Sequence, residues 1–227
     1  MARYIPNVIT CFNLFCGCVS IVFTFSDRLD LAAYLILVAA VFDFLDGFAA
    51  RWLKAYSEMG KQLDSLADVV SFGVAPASIM FILIHSAAFF PFGWLAAFSA
   101  YLIAVFSALR LAKFNIDTRQ SESFIGLPTP ANAIFICSLA LSNIHFVTNN
   151  VFFLLAVTVV FSFLLVSELP LFSLKFKSYN LKNNIIQNIF IVISIIILLL
   201  FHLQGLSLVI LAYIALSIIK NVFTKGK

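Results

Sequence analysis

The chain has 227 residues, 63% of them hydrophobic and 11% charged, with a formal net charge of +4 and a mean hydropathy of +1.09. So little polar surface cannot cover a water-soluble globule of this size, which excludes soluble enzymes and soluble binding modules and leaves an integral membrane protein. The apolar runs are long, unbroken and rich in Leu, Ile, Phe and Ala, whereas barrel strands alternate over roughly ten residues, so the expected fold is all-α, a polytopic transmembrane helix bundle.

Hydropathy divides the chain into about eight spans. The first, 8–25, follows Arg3 as a signal peptide would, but its full-span length and the lack of a small-x-small site before Ser26, Asp27 and Arg28 predict a retained helix. The second, 31–50, ends in Asp43 and Asp46; a short loop with Arg51, Lys54, Glu58 and Lys61 leads through Asp64 and Asp68 into the third, 65–86. A tight turn at Pro91 opens the fourth, 91–112, which closes on Arg110, Lys113 and Asn115. The rest are 131–147, 150–168, 185–203 and 206–222, with joints at Asn149-Asn150 and Gln204-Gly205 short enough to force antiparallel hairpins. There is no internal repeat, so a single membrane domain over 1–227 is the expectation. Cys11, Cys16, Cys18 and Cys137 sit inside apolar segments as small hydrophobes, and His85, His145 and His202 fall at the ends of apolar runs, away from the acids.

Cytoplasmic loops collect Lys and Arg. With both termini in the cytoplasm, that side holds Arg3, Arg51, Lys54, Lys61, Arg110, Lys113, Arg119, Lys175, Lys177, Lys182, Lys220, Lys225 and Lys227, which is 13 of the 14 basic residues; Arg28 alone lies outside. Topology signalling explains most of them, and together they make a one-sided basic face that attracts anionic headgroups and phosphates. No nucleic-acid partner is expected.

Of the ten acidic residues, Asp27, Asp30, Glu58, Asp117, Glu122 and Glu168 lie in loops or near an interface. The other four, Asp43, Asp46, Asp64 and Asp68, fall within one stretch of 26 residues. At the end of the apolar run 31–41, a carboxylate costs at least ~2.5 kcal/mol unless paired or coordinated. At about 3.6 residues per turn, Asp43, Asp46, Gly47 and Ala50 share one helical face, and Gly60, Asp64 and Asp68 share another. The loop between them makes the helices antiparallel, so the two faces meet at their cytoplasmic ends. Four carboxylates repel, and the nearby cations are too few to neutralise them. Oxygen-only ligands favour Mg2+ or Mn2+, and four of them suit a pair of ions that would also clamp a diphosphate. Gly47, Ala50 and Gly60 leave bare surface for a flat base or phosphate oxygens, and Arg51 is placed to pair with a phosphate.

The string Asp43-x2-Asp46-Gly47-x2-Ala50-Arg51-x8-Gly60-x3-Asp64-x3-Asp68 resembles, without departure, the signature of the CDP-alcohol phosphotransferase family. Three further segments resemble the phosphatidylserine synthase branch: Ile5-Pro-Asn-Val-Ile-Thr-Cys-Phe-Asn-Leu-Phe-Cys-Gly17, Leu66-Ala-Asp-Val-Val-Ser-Phe-Gly-Val-Ala-Pro-Ala77 and Phe124-Ile-Gly-Leu-Pro-Thr-Pro-Ala131. Leu109-Arg-Leu-Ala-Lys-Phe-Asn115 is similar too, with Lys113 where Arg is commoner. The likeness spans about 1–180 as a catalytic core and leaves 185–222 as an additional helical hairpin.

The resemblance implies a CDP moiety between the two motif helices, with Gly47, Ala50 and Gly60 at the cytidine and Arg51 near the phosphates. It implies that Asp43, Asp46 and Asp64 bind metal, and that Asp68 also touches metal and serves as general base. It further implies transfer of a phosphatidyl group from CDP-diacylglycerol to serine, a homodimer, and a cell (inner) membrane enzyme whose active site faces the cytoplasm. A serine carboxylate needs a cation near Asp68, for which Arg110, Lys113 and Asn115 are candidates; Gly126-Leu-Pro-Thr-Pro130, with Pro128 at its centre, is a rigid irregular segment expected to shape the acceptor pocket. The same chemistry with glycerol 3-phosphate or inositol is the near rival, and a cation transporter the distant one. A covalent intermediate is disfavoured because Ser65, the nearest nucleophile, points away from the acids.

Overall fold

The computed structural model describes residues 4–89, 93–117, 124–142, 144, 148–172 and 184–225. Arg3, Pro91, Arg119, Glu122, His145, Lys175, Lys177, Lys182 and Lys227 lie outside the described residues. Among the described residues the chain is helical apart from a two-residue antiparallel strand pair. The helices are α1 (Ile5–Phe25), α2 (Leu29–Trp52), α3 (Glu58–Asp68), a π-helical segment (Val69–Val74), α4 (Ala75–Ala87), α5 (Gly93–Ala97), a 3-10 segment (Phe98–Tyr101) and α6 (Leu102–Ile116). Strand β1 (Phe124–Ile125) then precedes α7 (Thr129–Ala140) and α8 (Val151–Val166), and β2 (Pro170–Leu171) precedes α9 (Ile185–Phe201) and α10 (Leu206–Lys225).

Among the described residues, five stretches are long and apolar enough to cross a membrane: Ile5–Phe25, Leu29–Trp52, Glu58–Ala87, Gly93–Ile116 and Ile185–Val222. The first four match the first four hydropathy segments, with the third beginning earlier because its polar opening turn is already helical. The fifth hydropathy segment differs. Its helix stops at Ala140, and the 12 residues of α7 reach only about 18 Å, against the ~30 Å of a hydrocarbon core. The Ile185–Val222 stretch is broken at His202, whose φ of +51° no helix accepts. Phe190 and Tyr213 nevertheless bring their rings within 5.7 Å, so α10 turns back along α9 across the Gln204-Gly205 joint.

α1 and α2 are joined by a tight turn in which Arg28 N–H donates to Phe23 O at 3.0 Å across a left-handed Asp27. Ser20 Oγ then donates to Ala32 O at 2.8 Å. Ala32, Ala33 and Ala39 on α2 are fully buried, and small side chains of this kind let membrane helices approach closely. The Glu58–Ala87 span runs through the middle of the bundle, with Phe72, Ile79, Met80 and Ile84 fully buried. Outward, α1 and α2 expose Phe12, Phe15, Val22, Val38, Val41 and Phe44, the surface that suits lipid.

Candidate active site

α2 ends in a hydrogen-bonded turn. Ala55 N–H donates to Ala50 O at 3.0 Å and Lys54 N–H to Arg51 O at 3.3 Å, the paired bonds of a Schellman motif. Its left-handed position is held by Lys54 at φ +48°, where glycine would be unstrained and any other residue costs about 1 kcal/mol. Two residues after Ala55, Ser57 caps α3, its Oγ accepting from Gly60 N–H at 3.0 Å. A loop this short brings the last turn of α2 and the first turn of α3 into one place.

What results is a cavity of about 570 Å³, walled by Asp46, Gly47, Ala50 and Arg51 from α2, by Gly60 and Asp64 from α3, and by Asn7 and Thr10 from α1. A Cβ on Gly60 would lie 3.0 Å from Asn7 Oδ1 and from Ser57 Oγ, so the glycine is what keeps this wall open. Below it, oxygens of Asp43, Asp64 and Asp68 lie within 4.8 Å of one another. Asp46 stands slightly apart, its Oδ2 accepting from Thr10 Oγ1 at 2.7 Å. All four acids of the string therefore sit at the meeting of two helices, three of them as a tight cluster and the fourth on the cavity wall.

Two unit charges 4.8 Å apart repel by about 3.5 kcal/mol at an effective dielectric of about 20. The surrounding cations do not cancel that. Lys61 donates to Asn115 O at 3.3 Å, Lys113 pairs with Glu168 at 3.6 Å, and Arg51 makes no ion pair among the described residues. The cluster fits a hard dication: its donors are oxygen only, Asp64 Oδ1 is buried without a partner, and ligand oxygens sharing an Mg2+ lie roughly 3–4 Å apart.

The residues that sequence reasoning left without a role are on α1. Asn7, Thr10 and Asn13 recur every third position on one helical face. Asn13 Nδ2 donates to Asp68 Oδ1 at 3.3 Å, and Ser71 Oγ in the π-helical segment donates back to Asn13 O at 2.9 Å. A Cβ on Gly17 would come within 2.8 Å of Ser71 Cα, so only glycine allows α1 this close. The signal was present as a polar stripe, Asn7, Thr10, Asn13, Ser20 and Thr24, in an otherwise apolar helix.

The acceptor-side candidates separate. Arg110 is 6% exposed, lies within electrostatic reach of Asp68, and has a buried Nε without a partner. Lys113 is drawn off to Glu168. Asn115 Nδ2 donates to Ser65 Oγ at 2.8 Å, which leaves neither Asn115 nor Ser65 turned to the acids. Pro128 is half-buried and caps α7, so the irregular backbone covers only Gly126 to Pro128, with Thr129 and Pro130 already helical. Gly126 has φ +76°, and a Cβ there would lie 2.6 Å from Leu165 O; its N–H donates to Leu169 O at 2.9 Å. Just beyond, Thr129 Oγ1 and both polar atoms of Asn132 are buried without partners, as is Ser107 Oγ on α6.

A family model described as CDP-alcohol phosphatidyltransferase matches residues 3–164. The chain is 35% identical over 229 residues to a protein of Helicobacter pylori named CDP-diacylglycerol–serine O-phosphatidyltransferase, covering 98% of this chain and 92% of that one. A protein of the same name from Bacillus subtilis is 39% identical over 128 residues, 56% of this chain and 70% of its own. The archaetidylserine synthase of Methanothermobacter thermautotrophicus is 38% identical over 157 residues, 68% of this chain and 65% of its own.

Proposed function

The chain belongs to the CDP-alcohol phosphatidyltransferase family, and on that premise we propose that it transfers the phosphatidyl group of CDP-diacylglycerol to the hydroxyl of L-serine, giving phosphatidylserine and CMP. The observation that carries this reading is the continuity of the site: a cavity bared by Gly47, Ala50 and Gly60 opens beside the cluster of Asp43, Asp64 and Asp68, with Asp46 and Asp64 bordering both. Relatives named for serine transfer support the acceptor.

The cytidine lies against Gly47, Ala50 and Gly60, with Arg51 beside the diphosphate. Asp43, Asp46, Asp64 and Asp68 would hold Mg2+ or Mn2+, with four carboxylates enough for two ions. Bound dications supply charge neutralisation on the diphosphate and on the departing phosphate. Asp68 takes the proton of the serine hydroxyl, whose oxygen forms the new bond to the phosphatidyl phosphorus as the bond to CMP breaks. Arg51 faces the charge that CMP carries away. Arg110, within electrostatic reach of Asp68, holds the serine carboxylate.

The enzyme acts in the inner membrane with this site toward the cytoplasm, a reading supported by the one-sided distribution of Lys and Arg, and as a homodimer, as the family resemblance implies. A phosphorylated acceptor calls for several cations around Asp68, and among the described residues Arg110 is the buried one. Purified protein given CDP-diacylglycerol and Mn2+ should release CMP with serine and not with glycerol 3-phosphate or inositol. CMP release with either of those and none with serine would overturn the assignment.

A further inference from the structure

Asn13 is the most confined polar side chain of the site. It is fully buried, its main-chain oxygen is tied to Ser71 Oγ at 2.9 Å, and Gly17 one turn on clamps α1 against the same residue. Its amide donates from Nδ2 to Asp68 Oδ1 at 3.3 Å. Oδ1 therefore turns away from Asp68, and there it is buried with no partner. Buried carbonyl oxygens are almost always matched by a donor.

The surroundings say which donor. Asp43, Asp64 and Asp68 crowd the neighbourhood with negative charge, which favours a cationic one. The nearby protein cation, Arg110, lies within reach of Asp68 but has its own Nε unmatched. Asp68 thus bonds an amide whose carbonyl oxygen is unmatched and lies within electrostatic reach of a guanidinium whose Nε is unmatched. A small zwitterion with a hydroxyl complements all three: ammonium to the carbonyl, carboxylate to the guanidinium, hydroxyl to the acid.

We propose that Asn13 is the ammonium-recognising residue of the acceptor site, Oδ1 accepting from the acceptor's protonated amine while Nδ2 holds Asp68 toward the acceptor's hydroxyl. This rests on the proposed transfer to an amino alcohol and adds the residue that selects it. A polyol acceptor leaves Oδ1 unmatched and is rejected for that reason.

The test uses full-length enzyme in lipid nanodiscs, with serine as acceptor and 3-hydroxypropanoate, which keeps the hydroxyl and carboxylate but has no amine, as a serine-competitive inhibitor. Asn13→Ala should raise the KM for serine by about tenfold or more, while the inhibition constant of 3-hydroxypropanoate and the KM for CDP-diacylglycerol stay within about twofold of wild type. Asn13→Asp, which keeps an accepting oxygen and loses the donor to Asp68, should hold the serine KM near wild type and lower kcat. It also decides the matter if the alanine variant does not fold. An unchanged serine KM, an equal loss for 3-hydroxypropanoate, or an equal rise in the KM for CDP-diacylglycerol would each overturn the role. Wild-type enzyme that ignores serine altogether would instead sink the proposed function, a separate failure.

Discussion

The donor and acceptor halves of the proposed site are built in opposite ways. The donor half is local: Asp43 to Asp68 spans one hairpin, its turn fixed by Lys54, Ala55 and Ser57, and its cavity is walled mostly by residues of that hairpin. The acceptor half is assembled from afar, with Asn13 on α1, Asp68 at the end of α3 and Arg110 on α6. The donor half is open and lined by small residues. The acceptor half is closed, and it holds the buried unmatched atoms Asn13 Oδ1 and Arg110 Nε. A common nucleotide handle can be written as one string with fixed spacing, whereas a small acceptor must be enclosed on several sides, which takes several helices.

Substitutions can break this division or sharpen it. The largest effect is expected for Asp64→Asn, on the hinge between the halves. It should lower turnover by more than about 100-fold, while thermal unfolding shows no loss of stability, since one like charge has left the cluster within which oxygens lie 4.8 Å apart. Wild-type turnover would remove Asp64 from the metal site. Next comes Arg110→Ala, expected to raise the serine KM by about 10- to 100-fold with the lipid KM nearly unchanged; an effect on the lipid alone would merge the halves.

Gly60→Ala is the mirror experiment. Its methyl group meets Asn7 and Ser57 at 3.0 Å inside the proposed nucleotide cavity, so the KM for CDP-diacylglycerol should rise about tenfold, the equivalent of ~1.4 kcal/mol, with serine unaffected. The smallest change is expected for Thr10→Val, which removes the 2.7 Å bond to Asp46. Turnover should fall about three- to tenfold, in keeping with the ~1 kcal/mol of one buried hydrogen bond. Equal kinetics for the valine variant would make Thr10 a packing residue.

The same division explains which residues are legible in the amino-acid sequence and which are not. The four aspartates announce themselves because carboxylates are rare and costly in apolar helices, and because their spacing repeats the helical period. Gly47, Ala50 and Gly60 follow from the same faces. Asn13 and Thr10 carry no charge, and their partners lie 55 and 36 residues away, so the stripe on α1 acquires meaning only once α1 is packed against the hairpin. Lys113 and Asn115 have the right chemistry at the right end of α6, but Glu168 and Ser65 engage them, contacts that hydropathy cannot foresee. The π-helical segment after Asp68 is likewise set by tertiary fit, where Ser71 meets Asn13 and Gly17. Span number is the least legible feature, because an apolar window does not register that α7 ends at Ala140.

Metal removal tests the central claim most directly. Purified enzyme in nanodiscs with CDP-diacylglycerol and serine should form phosphatidylserine and CMP in equal amounts when Mn2+ or Mg2+ is present, lose both products on chelation, and recover them on adding the dication back. Undiminished phosphatidylserine formation in the chelated enzyme would contradict the assignment of Asp43, Asp46, Asp64 and Asp68 as a metal-dependent catalytic cluster.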